Sequence, residues 1–176
     1  MRRCVLLSAL VAVVVNSASA QTQAGTPQPT EQSVFSLYVA RHEATARFAE
    51  LGTQATDKDV REFAEHLRDA HRNAGEKLEQ SAQKESITII RPTRDTSDAM
   101  LASAIQALKG KTGRELDSTF AVQAYAWLAT LMLDNNIKVL GALPDGELKK
   151  FGQAYGRFVF HQAADAGKLK KKYETK

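Results

Sequence analysis

Apolar positions recur three and four residues apart along most of the chain, the spacing of one face of an α-helix. Val34, Leu37, Tyr38, Arg41, Thr45, Phe48, Leu51 and Ala55 trace the first such face and predict a helix from about 31 to 55. Thr56 or Asp57 can cap the next helix, and Asp59 sits three residues after Thr56. That second helix runs to about Glu85, with Val60, Ala64, Leu67, His71, Ala74 and Leu78 on its stripe. The joint between the two is short, so they should pack antiparallel.

The segment SITIIRPTRDT, residues 86–96, breaks the pattern. Its isoleucines are β-branched, and Pro92 disfavours helix at Arg91, so the segment should be extended. Ile87, Ile89 and Ile90 are expected to seal one end of the core. A short helix over about 97–109 carries Met100, Leu101, Ile105 and Leu108. After a loop, Thr112 and Glu115 form a T-x-x-E capping-box pattern at the start of a third long helix. This helix is the most hydrophobic and should reach about Ala142. Pro144-Asp145-Gly146 then makes a turn before a last helix that ends near Tyr173. Its face holds Leu148, Phe151, Tyr155, Phe158, Gln162 and Leu169.

Four long helices with apolar stripes predict an all-α four-helix bundle, with a short accessory helix between the second and third. The second helix should be about 42 Å long at 1.5 Å per residue. Residues 86–96 alone can span roughly 36 Å when extended. The connection therefore permits a ferritin-like crossover as well as a simple up-down bundle.

The chain has 176 residues, and the first twenty read as a secretory signal. Arg2 and Arg3 precede an apolar run from Val5 to Val15, and Ala18-Ser19-Ala20 forms an A-x-A cleavage site. The run is too short to span a membrane. The expected organisation is a signal peptide over 1–20, a Pro-containing polar tether over 21–30 and a helical domain over 31–175. The expected location is the periplasm or cell envelope. The only cysteine is Cys4, inside the signal, so core packing rather than a disulfide must stabilise the exported chain. Of 24 basic residues, Arg2 and Arg3 leave with the signal, so 22 face 20 acidic ones. That balance is too even to suggest nucleic acid.

The stretches "AELGTQATDKDVREFAEHLRDAHRNAGEKL", "ALKGKTGRELDSTFAVQAYAWLATLM" and "FGQAYGRFVFHQAADAGKLKK" carry a family resemblance. In their order and spacing they resemble an exported bacterial family, domain of unknown function 4142, over most of residues 33–173. Asp69-Ala70-His71, Leu116-Asp117 and His161 stand where that family has comparable features. The resemblance implies a ferritin-like bundle and export. It carries no activity.

His71 poses the chemical question, because an imidazole occupies a core position. A ferritin-like di-metal centre needs two Glu-x-x-His pairs, and the chain contains none. The third long helix has no acidic residue or histidine from Ser118 to Leu133. A mononuclear zinc or iron site is the smaller alternative, with His71 and His161 as nitrogen ligands and Glu43 or Asp165 as carboxylate. The favoured reading is a structural polar cluster, in which Tyr125, Tyr155 and Gln162 supply hydrogen bonds to His71. Nucleophilic catalysis lacks a motif, and enzymatic function is disfavoured. Gly152 and Gly156 should permit close helix packing or a ligand notch.

Two surface features complete the expectations. Lys168, Lys170, Lys171 and Lys172 can touch an anionic envelope surface, although complementing a helix C-terminus is the simpler account. Phe35, Val39 and Phe160 are candidates for self-association. The leading expectation is an exported, soluble, non-enzymatic envelope or stress-associated binding protein. The alternative is a metal-binding or redox bundle using His71 and His161.

Overall fold

The computed structural model describes residues 29–93 and 95–174, so the signal segment and most of the tether lie outside the described residues. Among the described residues, five α-helices follow one another: α1 Glu31–Glu50, α2 Lys58–Lys84, α3 Thr96–Leu108, α4 Gly113–Asp134 and α5 Glu147–Glu174. A π-helical turn, Asn135–Val139, extends α4. No described helix is long and apolar enough to cross a membrane.

Helix α1 starts at Thr30, whose hydroxyl accepts the Ser33 backbone N–H at 3.2 Å. It stops at Glu50, earlier than the apolar spacing suggests. The chain there turns under the Phe120 ring, where a Cβ on Gly52 would lie 2.4 Å from ring carbons. Asp57 caps α2 by accepting the Asp59 N–H at 2.9 Å. At its far end Ser86 adopts a positive φ of 57°, and the Ile87 N–H reaches back to the Ala82 carbonyl. That six-to-one closure satisfies an orphan carbonyl of the last turn.

The segment after Ser86 lies along α1 as expected for an extended strap. Gln32 donates to the Thr88 carbonyl at 2.9 Å, and the Ile90 N–H donates to Ser36 Oγ at 2.9 Å. Ile87 and Ile89 pack against the core, but Ile90 is 59% exposed and does not help to seal it. Strap geometry explains this, because successive side chains of an extended chain point to opposite sides. The Thr112 side chain makes no cap bond to α4, so the capping box is not formed. Glu115 pairs with Lys111 instead.

Side-chain pairs give the helix directions. Residues 38, 45 and 48 of α1 meet residues 135, 127 and 120, so α1 and α4 run antiparallel. Phe35 and His42 of α1 meet Phe151 and Phe158 of α5, so those two run parallel. Asp57 and His71 of α2 meet Tyr173 and Gln162, so α2 and α5 run antiparallel. It follows that α2 and α4 run the same way, and residues 85–112 must carry the chain back along the molecule. The strap and α3 make that passage against α1.

The core is built in two halves. Phe48 stacks between Trp127 and Phe120, with ring centroids at 4.7 and 5.2 Å. Each such side chain contributes about 2–3 kcal/mol through burial. The Trp127 N–H donates to Thr45 Oγ1 at 3.0 Å, which satisfies the indole inside the core. The other half gathers Tyr38, His42, His71, Tyr155 and Phe158 around α5. Close packing there depends on glycine: a Cβ at 152 would lie 2.7 Å from Leu140 and 2.9 Å from the Tyr38 hydroxyl.

Buried Asp117 ties the α1–α2 turn to the start of α4. It accepts the Thr56 N–H at 2.8 Å, the Thr56 hydroxyl at 2.7 Å and the Asp57 N–H at 3.1 Å. Lys172 and Tyr173 of α5 close the same end on Asp57. The Lys172 side chain also pairs with Asp59, while Lys168 pairs with Asp165 and Lys170 with Glu174. Lys168, Lys170 and Lys172 therefore have carboxylate partners within the fold. Phe35 and Val39 are buried, leaving Phe160, 55% exposed, as the one surface residue of the self-association trio.

Candidate functional site

His71 is fully buried in the middle of α2, as its place on the stripe requires. Its Nε2 meets Gln162 Oε1 at 2.8 Å, and its Nδ1 meets Nδ1 of His42 at 3.0 Å. The two imidazoles lie 4.9 Å apart at their centroids, tilted by 54°. With the Gln162 oxygen facing the ring, Nε2 of His71 carries its proton and Nδ1 is bare. His42 must then donate from its own Nδ1, which leaves His42 Nε2 as an acceptor.

Both rings are held neutral. Burial lowers the His42 pKa to about 3, and repulsion from His71 adds to the shift. Burial also lowers His71 to about 4, although the bond to Gln162 opposes it. Aromatic rings complete the enclosure. Tyr155 meets His42 edge-on at 5.3 Å, and Phe158 lies 5.1 Å from His71.

Arg41, one residue before His42, is buried on the other side of α1. It pairs with Asp134, and its Nε lies 3.8 Å from Asp95. Burial pushes the Asp134 carboxyl up, but the Lys138 ammonium and Arg41 guanidinium outweigh it and hold the group below its usual value. The π-helical turn turns two successive residues inward, so Asp134 reaches Arg41 while Asn135 accepts the Tyr38 hydroxyl at 2.5 Å. Asn135 also donates to the Gly152 carbonyl at 3.1 Å. Arg41 Nε, Arg41 Nη1 and the Tyr155 hydroxyl have no hydrogen-bond partner among the described residues.

The expected polar cluster is assembled only in part. Gln162 bonds His71, and Tyr155 touches the pair through the His42 ring. Tyr125 is 39% exposed and lies beneath Lys170 at 5.0 Å, so it does not join. Its position on α4 faces outward past Gly167 of α5. The residues considered as metal ligands are dispersed. Exposed Glu43 pairs with Arg91, and exposed Asp165 pairs with Lys168. His161 is exposed and stands with His66, Gln162 and Asp165 around a groove of about 210 Å³. Among the described residues, no three His, Cys, Asp or Glu side chains are grouped to hold a metal ion.

His42 is the residue that sequence reasoning missed. It lies four residues after Tyr38 and three before Thr45, so the apolar stripe is wide enough to include it. A second groove, of about 310 Å³, opens between α2 and α5. Leu78, Phe151, Tyr155 and Phe158 form its apolar walls, and His42 is its buried polar element. Its outer edge carries Lys77 and Ser81. Such a site can accept an apolar molecule of about ring size and orient it by one hydrogen bond.

Residues 16–166 match the family model described as Domain of unknown function (DUF4142). The chain belongs to the DUF4142 family. The match covers both the α1–α2 pair and most of α5, so the imidazole pair and the Gln162 contact lie within the DUF4142 region. No curated protein matches the chain, and no solved structure does.

Proposed function

We propose that this DUF4142 protein is an exported, ferritin-like four-helix bundle that acts in the periplasm or envelope as a non-enzymatic binding protein. The shared direction of α2 and α4, joined by a strap that runs along α1, supports the ferritin-like arrangement. The groove between α2 and α5 carries the binding reading, because an apolar recess ends on a buried polar side chain. The metal-binding alternative has a structural obstacle. His71 must first release Gln162 or His42 before either nitrogen can ligate an ion.

The direct test is amide NMR of the exported form titrated with benzene, indole and phenol. Saturable shifts at Ala74, Leu78, Ala154 and Phe158 are expected. The absence of saturable shifts at those amides with every probe would sink the binding reading. Cell fractionation tests export separately: a chain that retains residues 1–20 and stays in the cytoplasm contradicts it.

A further inference from the structure

His42 offers a hydrogen-bond acceptor without a protein partner at the edge of the groove. Its Nδ1 is used by His71, and no hydrogen bond reaches Nε2 from any described residue. The residue is only 5% exposed, and its ring borders the groove between α2 and α5. Nε2 is not among the fully buried atoms that lack a hydrogen-bond partner, so it keeps a small opening to solvent at the groove. A ligand donor placed there would take the place of water on that nitrogen and cover the bond with apolar groups.

The rest of the groove narrows the ligand class. Phe151, Tyr155 and Phe158 present ring surfaces, and Leu78 closes the wall. Aromatic faces and edges favour another ring over a flexible chain, because a rigid ring loses little conformational freedom on binding. The recess contains no carboxylate to pair with a cation, and the Lys77 ammonium stands at its edge.

We infer that the α2–α5 groove binds a small aromatic alcohol, with its ring against Phe151 and Phe158 and its hydroxyl donating to His42 Nε2. This assignment rests on the groove reading above and adds the polar anchor and the ligand chemistry. The direction of the bond follows from the relay through His71 to the Gln162 carbonyl oxygen. Burial keeps His42 neutral across the physiological range, so the acceptor is present at ordinary pH.

Three probes of similar size separate the alternatives: phenol can donate, toluene neither donates nor accepts, and benzaldehyde only accepts. Affinities are read by amide NMR at pH 7, and the imidazole nitrogens of the unmodified protein are followed in the same samples. Phenol is expected to bind about tenfold more tightly than toluene, the discrimination of one buried hydrogen bond. The bare nitrogen resonance of His42 should move with phenol and stay still with toluene. His42→Phe should abolish the preference for phenol while keeping toluene binding. Equal binding of phenol and toluene with an unmoved imidazole would overturn the anchor and leave the groove reading intact. Tighter binding of benzaldehyde, with His42 Nε2 protonated, would overturn the donor assignment. Binding of none of the three would overturn both the inference and the groove reading.

Discussion

Arg41 and His42 are neighbours in sequence, and both are buried, yet they meet burial by opposite means. Arg41 cannot give up its charge, so the fold brings Asp134 to it and places Asp95 close by. Two of its nitrogens still lack hydrogen-bond partners. His42 can give up its charge, and it does: the ring is neutral and bonded to a second neutral ring. A titratable group can avoid most of the desolvation cost, whereas a permanent cation requires a fixed counter-charge. The two sides of α1 should therefore respond differently to acid and to truncation.

Acid gives the largest separation. The folded pKa values of His42 and His71, about 3 and 4, lie below the ordinary imidazole value of 6.5. Unfolded chains therefore bind more protons, and stability rises with pH between those values. The contribution is full above about pH 6.5 and is lost as pH falls toward 4. By pH 5 each imidazole should have cost about 2 kcal/mol, so the pair should cost about 4 kcal/mol. Urea unfolding at pH 7, 6 and 5 measures this, and His42→Phe/His71→Leu should flatten the slope. An equally steep slope in that variant would place the acid sensitivity elsewhere.

Truncation on the Arg41 side comes next. Asp134→Ala leaves the guanidinium buried, with only Asp95 nearby, and should cost about 3 kcal/mol at pH 7. A loss below about 1 kcal/mol would mean that Arg41 is solvated in the native state. Two tyrosine deletions refine the contrast. Tyr38→Phe removes the bond to buried Asn135 and should cost about 1–2 kcal/mol. Tyr155→Phe removes a hydroxyl that has no partner, so it should be neutral or stabilise by up to about 0.5 kcal/mol. Denaturant midpoints that reverse this order would contradict the assignment of partners.

The helices and breaks were largely legible from spacing and caps. Exceptions have identifiable causes. Apolar residues continue past Asp134, so periodicity runs smoothly through a turn that is π-helical in the fold. That turn exists where Asp134 and Asn135 both point inward to Arg41 and Tyr38. The Thr112 cap pattern was present, but Glu115 found Lys111 instead. His71 was legible as a core residue. Its partners were less so: Gln162 was anticipated, Tyr125 was not in place, and His42 was overlooked.

Local sequence determined which residues form helices, where the chain turns, and that Arg41 and His71 lie inside. Those properties follow from a backbone repeat of 3.6 residues and from the residue types that end it. Tertiary structure alone decided that His71 faces His42 rather than His161, and that Arg41 faces Asp134. These partners are separated by 29 and 93 positions along the chain. Their meeting depends on how one helix is rotated and shifted against another, and that register is set by packing of the whole core.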